Sequence, residues 1–162
     1  MKPSTHIRAM RAADNARVAH IIQTVMTEFG AVGCGYSIED AEVQSMYEAY
    51  PAPGSAFFVV EQDDCILGCG GMGPLAGGEA DVCELRKMYF LPGLRGTGMG
   101  SKLMDVILES ARAAGYRHCY LETLERMEKA RELYARYSFQ VIKEPLGQTG
   151  HGSCNHWMLL EF

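Results

Sequence analysis

The sequence predicts a single α/β (α+β) domain built on a mixed, mostly antiparallel central sheet with flanking helices. Three observations lead there. Runs of β-forming residues and amphipathic helical stripes follow one another in the order β-α-α-β-β-β-α-β-α-β-β, with no repeat, low-complexity tract or linker between them. In the middle of the chain the β runs are separated by short Asp- or Gly-bearing turns, which make antiparallel hairpins. One β-α-β passage then places a helix between two strands, and such a crossover makes the pair parallel and right-handed. With 162 residues, the whole of 1–162 reads as one domain large enough to bury a core without staples.

The elements follow in order. Thr5–Met10 reads as a short strand. Asp14 offers an N-cap to a helix in which Val18, Ile21, Ile22, Val25, Met26 and Phe29 recur at helical spacing, and Gly30 stops it. After a glycine-bearing loop over Gly30–Tyr36, Ser37 and Asp40 resemble a capping box. Val43, Met46, Tyr47 and Tyr50 then form a second amphipathic stripe, ended by Pro51 and Pro53. Phe57–Glu61 and Cys65–Met72 are strands joined at Asp63 and Asp64. A turn at Gly77–Gly78 leads into the run Asp81–Leu91. Met99, Leu103, Val106, Ile107 and Ala114 mark a third helix, with Gly115 just past its end. Tyr116–Leu121 is a strand, and Met127, Ala130, Leu133, Tyr134 and Tyr137 mark a fourth helix. Phe139–Lys143 and Trp157–Phe162 are the last strands.

Charge and composition exclude several functions. Hydrophobic residues at 48% and charged residues at 22% are globular usage, so the chain is not disordered. A net charge of −5 suits neither nucleic acid nor an anionic membrane, because the phosphate-neutralising charge is missing. No run approaches 18 apolar residues, and the first ten residues lack an apolar signal core, so a cytoplasmic location is expected. In that compartment the six cysteines are expected to be reduced, with Cys83 and Cys119 as small core residues.

The densest signal is the turn Arg95-Gly96-Thr97-Gly98-Met99-Gly100, between a strand and a helix. Alternating glycines let backbone N–H groups approach a ligand closely, and the helix start adds partial positive charge. Arg95 adds a full charge and a planar fork. The expected ligand is an anion, most simply a pyrophosphate. A Walker loop fails because Met99 stands where lysine is required, and the dinucleotide fingerprint fails on its glycine spacing.

This turn resembles the Q/R-x-x-G-x-G/A signature of the GNAT superfamily of N-acetyltransferases, and the element order resembles that family over nearly the whole chain. The resemblance implies a sheet with one splayed parallel strand pair, and acetyl-CoA as cosubstrate. Arg95, Gly96, Thr97, Gly98, Met99 and Gly100 would bind its pyrophosphate through backbone amides. Met88, Tyr89 and Phe90 would offer backbone groups to the pantetheine and the thioester. Leu133-Tyr134-Ala135-Arg136-Tyr137-Ser138-Phe139 resembles the L-Y-x-x-x-G-F pattern, so Tyr134 would lie near the thioester sulfur, with Ser138 in place of the usual glycine. Met127 stands where many members have asparagine, so no pantetheine hydrogen bond is expected there.

Glu84 lies eleven residues before Arg95, the offset of a general base in histone-type members. Strand alternation puts Glu84, Arg86 and Met88 on one face. A base is needed because a primary amine is protonated at neutral pH and cannot attack, and a tyrosine hydroxyl suits the departing thiolate. Glu122 and His151 are candidates to bind the substrate amine. His151, Cys154 and His156 have no nearby fourth ligand and fit no common zinc spacing, so no metal is expected.

The implied activity is acetyl transfer from acetyl-CoA directly to a primary amine of a small molecule or peptide. The alternative is a non-catalytic acyl-CoA-binding sensor module. Related enzymes are often dimers, so a homodimer stays open.

Overall fold

Strands β1 (Thr5–Ala9), β2 (Ala56–Gln62), β3 (Cys65–Pro74) and β4 (Val82–Phe90) pair antiparallel in chain order. This is a computed structural model that describes residues 3–51 and 53–162. Asp63 and Asp64 both take left-handed backbone, φ 47° and 64°, the pair of angles that closes a two-residue type I′ hairpin between β2 and β3. Helix α3 (Met99–Ala113) carries the chain over to β5 (His118–Thr123), which lies parallel to β4. Gly115, at φ 90°, ends that crossover helix as its sequence position predicts. Strand β7 (His156–Glu161) follows β5 antiparallel, and β6 (Gln140–Ile142) lies outside it. Among the described residues the sheet thus has seven strands in the order β1-β2-β3-β4-β5-β7-β6.

Helices cover both faces. Helix α1 (Asn15–Glu28) lays Val18, Ile21, Ile22, Val25 and Met26 on one face, against Phe57, Val59 and Cys69. On the other face α3 buries Leu103, Met104, Ile107 and Leu108 against Cys83, Leu85 and Leu121. Helix α4 (Glu128–Arg136) adds Tyr134 to this second core. Fully burying each such side chain contributes roughly 1.5–3 kcal/mol, so the two cores fix the sheet between them. All six cysteines are free, with Cys83 and Cys119 buried.

Three local expectations are corrected. The stripe from Val43 to Tyr50 does not make one helix. Residues Ser37–Glu39 and Ala41–Ser45 are 3₁₀ turns, and only Met46–Ala49 is α-helical (α2). Val43, Met46 and Tyr50 are buried while Tyr47 is exposed, so a segment with few helical turns satisfies the apolar spacing. Ser37 and Asp40 form no capping box. Asp40 instead accepts hydrogen bonds from Lys87 and His151, far along the chain. Asp14 does stand at the start of α1, but its carboxylate is taken by Arg8 and by the Arg11 amide.

Candidate active site

The site begins where the parallel pair ends. Strands β4 and β5 are in register only over Val82–His118, Cys83–Cys119 and Glu84–Tyr120. Beyond these pairs β4 runs on to Phe90 and β5 to Thr123 with no bonds between them. The resulting gap is lined by residues 84–89 of β4, residues 121–124 at the end of β5, Met26, Met127, Tyr134, His151 and Cys154.

A bulge shapes the β4 side of this gap. Cys69 faces Tyr89 and Gly71 faces Arg86, so β4 has one residue more than β3 between these pairs. Lys87 takes the left-handed angle, φ 49°, and absorbs that extra residue. The alternation breaks there. Glu84 and Arg86 stay on the α1 side, but Met88 joins Leu85 in the core under α3, so the expected common face for Glu84, Arg86 and Met88 does not hold. On β4 itself no glycine or proline marks the bulge, but Gly70 lies opposite it on β3, where an added Cβ would come within 3.2 Å of Met88 Cα.

At one end of the gap lies the glycine turn. Gly96 and Gly98 are left-handed, φ 73° and 84°, and an added Cβ at either would meet no protein atom within 4 Å. Helix α3 has no side-chain cap, and its first backbone bond runs from the Lys102 amide to the Gly98 carbonyl at 3.3 Å. Among the described residues, the amides of Gly96 through Ser101 therefore donate to no protein acceptor. A row of free N–H groups at a helix start fits a multiply charged phosphate group. The Thr97 hydroxyl is turned back to the Leu94 carbonyl at 2.7 Å.

The Arg95 side chain is engaged elsewhere. Its two terminal nitrogens pair with both Glu28 carboxylate oxygens at 2.6 and 2.7 Å, and its Nε donates to the Phe90 carbonyl at 2.9 Å. Across the gap, Arg126 Nε donates to the Phe29 carbonyl at 2.7 Å. The C-terminal end of α1 is thus fastened to the segment that follows β4 and to the segment that follows β5.

At the other end of the gap stand the acidic candidates. Glu84 is only 5% exposed. Its Oε1 accepts from Arg86 Nε at 2.9 Å, while Oε2 is buried and has no partner. Burial raises its pKa, Arg86 opposes that, and Glu122 reinforces it. Glu122 accepts from the Thr149 hydroxyl and lies 3.7 Å from His151 Nδ1. His151 Nε2 reaches both Asp40 oxygens, at 2.9 and 3.0 Å. Hydrogen bonding to Asp40 and then Glu122 outweighs burial and lifts the imidazole pKa to about 9. Asp40 completes the chain by accepting from the Lys87 ammonium at 2.7 Å, and Glu42 accepts from the same nitrogen. For Asp40, burial favours the neutral acid, but His151 and Lys87 together hold its pKa below the usual value. A continuous charged chain therefore runs from β4 through Lys87, Asp40 and His151 to Glu122 on β5, spanning the split strands.

Tyr134 reaches the gap from α4. It is nearly buried and its ring tilts against Phe139, 6.0 Å between centroids. Burial pushes its phenol pKa up to about 12, so the hydroxyl stays protonated and able to donate. Tyr89 lines the same gap, with its hydroxyl 3.2 Å from the Ser37 hydroxyl. Met127 also lines it, its sulfur 3.7 Å from the Thr123 hydroxyl.

The fold thus brings Glu84, Met88, Tyr89, Glu122, Tyr134 and His151 to one cavity, while the glycine turn follows the end of β4 beyond its lining residues. Phe90 lies outside the cavity wall, beside Gly68 and Gly100. Sequence reasoning missed Asp40, Glu42 and Lys87. Asp40 was legible only as a helix cap, and its true partners lie 47 and 111 residues away.

Known proteins share this arrangement. Residues 18–139 match the acetyltransferase (GNAT) family. Over 156 residues the chain is 41% identical to an uncharacterised N-acetyltransferase, YjgM, of Escherichia coli K12, covering 96% of this chain and 93% of that one. Its fold is similar to that of a GNAT family acetyltransferase from Staphylococcus aureus Mu50, with a TM-score of 0.84, 18% identity, and coverage of 98% and 99% of the two chains. It is also similar to a GNAT family acetyltransferase from Brucella melitensis in complex with acetyl-CoA, with a TM-score of 0.69, 23% identity, and coverage of 98% and 88%. A family match across most of the chain, the split parallel pair and the open amides of the glycine turn agree: this chain belongs to the GNAT acetyltransferase family.

Proposed function

We propose that this acetyl-CoA-dependent N-acetyltransferase moves the acetyl group directly onto a primary amine of a small molecule or peptide, within a single domain and in the cytoplasm. The observation that carries the reading is the row of unpaired amides from Gly96 to Ser101, set at one end of a gap whose other end holds an unpaired carboxylate oxygen. The bound cosubstrate supplies an acetyl thioester. The chain's own groups do the rest.

The amides of residues 96–101 hold the pyrophosphate, and the backbone of β4 from Met88 to Phe90, which has no β5 partner, orients the thioester arm. Arg95 acts through Glu28 to hold the turn against α1. Glu84 takes a proton from the acceptor ammonium, directly or through a water, so that the nitrogen lone pair is free. The N–C bond then forms as the C–S bond breaks; Tyr134 gives its proton to the departing sulfur, and the second proton, shed by the nitrogen as it becomes an amide, returns to the tyrosinate through water. Glu122 and His151 hold the amine in place. Most of the rate comes from placing the two reactants in line.

Calorimetric titration with acetyl-CoA, paired with a thiol-release assay across an amine panel, tests this. We expect binding, and turnover with at least one amine. Tyr134→Phe should lower kcat about 10- to 100-fold with acetyl-CoA affinity kept, and Glu84→Gln should lower it by about 100-fold or more. Full activity in both variants would remove these roles. Binding with no turnover for any amine would instead favour the sensor module.

A further inference from the structure

We infer that the acceptor is a small amine carrying one positive charge on a polar, uncharged body, and that free α-amino acids are rejected because of their carboxylate. The inference rests on the acetyl-transfer reading and narrows its substrate class.

The acceptor-side cavity, about 380 Å³, joins the gap at Glu84, Arg86, Lys87 and His151. Among the described residues its only apolar walls are Ala41 and Ala76, so nothing in it pairs with a large hydrophobic body. Each cation facing the cavity is already matched by the protein. Lys87 donates to Asp40 and Glu42. His151 lies between Asp40 and Glu122. Arg86 donates to Glu84 through Nε and to the Pro74 carbonyl through a terminal nitrogen.

Across the acceptor cavity and the adjoining gap, three cations thus face four carboxylates, Asp40, Glu42, Glu84 and Glu122, the last lining the gap alone, and the surplus is one negative charge. By the pairing above it lies among Asp40, Glu42 and Glu122, which share Lys87 and His151, while the open acceptor position lies on Glu84. Glu84 Oε2 is buried and unpartnered in a side chain that borders both cavities. One ammonium satisfies both the surplus charge and the orphaned oxygen, which would otherwise stay unpaired at a cost. A carboxylate on the same substrate would find no unmatched cation and four fixed like charges. Selectivity of this kind comes from what the site repels as much as from what it attracts.

Matched substrates test the inference. Rates would be compared for L-alanine and L-alaninamide, for L-serine and L-serinamide, and for ethanolamine and 1,4-diaminobutane, with acetyl-CoA binding measured separately. We expect the amides or ethanolamine to exceed the parent amino acids by about 100-fold in kcat/KM. Free amino acids turned over as well as their amides would overturn the inference, as would a preference for the diamine. No turnover across the panel with acetyl-CoA still bound would overturn it too. Failure to bind acetyl-CoA would instead bring down the acetyl-transfer reading beneath it. Glu42→Gln is the second arm. It removes one of the two carboxylates on Lys87 without touching Glu84 or Glu122, so the preference for amides should fall to about 10-fold. An unchanged preference would show that the matched cations do not set the selectivity.

Discussion

Ser138 occupies a left-handed turn at φ 69°, where the family pattern usually has glycine. The turn forms regardless: the Phe139 amide reaches the Tyr134 carbonyl at 3.1 Å and the Ser138 amide reaches Ala135 at 3.0 Å. The serine side chain makes the angle costly, by about 1–2 kcal/mol, while glycine would return roughly 0.4–1 kcal/mol of unfolded-state freedom. Ser138→Gly should therefore raise the melting temperature by a few degrees in a thermal melt, with acetyl transfer unchanged. His151 supplies a second residue-level expectation. Its pKa rises from 6.5 to about 9 in the fold, so the folded state binds this proton more tightly than the unfolded chain. The stability it adds is whole below about pH 6.5 and is lost as pH climbs through about 9. Amide hydrogen exchange over residues 145–155 should quicken in that window once corrected for the intrinsic rate, and His151→Gln should erase the pH dependence.

At the scale of elements, the bulge in β4 and the uncapped start of α3 decide what the gap can do. The bulge at Lys87 directs a lysine into the acceptor side that regular alternation would have sent under α3. The α3 start stays open because Gly98, a residue with no side chain to fold back, stands at the N-cap. Gly98→Ala should weaken acetyl-CoA binding about tenfold, because its φ of 84° suits glycine and the new methyl would enter the space we propose for the phosphates. Calorimetry reads that affinity, and the amine KM should stay within about twofold.

For the whole molecule, much was legible beforehand. The order of the elements, the hairpins and the parallel crossover follow from periodicity and turn chemistry, which are local. Gly115 and the Asp63–Asp64 turn act where the sequence places them. The glycine turn with its open helix start was legible for the same reason, since residues 95–100 are contiguous. On the acceptor side Glu84, Glu122 and His151 were candidates from the sequence, but their joining to Asp40 and Lys87 was not legible. Asp40, Lys87, Glu122 and His151 meet only after four separate segments are folded, and each alone resembles an ordinary surface charge. The 3₁₀ turns after Tyr36 were hidden because apolar spacing alone does not distinguish a regular helix from a succession of short turns.

One consequence lies in how the end of α1 is moored. Arg95, from one bank of the gap, pairs with Glu28, and Arg126, from the other, donates to the Phe29 carbonyl. The distance between the banks is consequently a property of the folded chain rather than of its guest. The entropy of shaping the opening is settled during folding, which leaves more of the contact energy to appear as affinity for the donor.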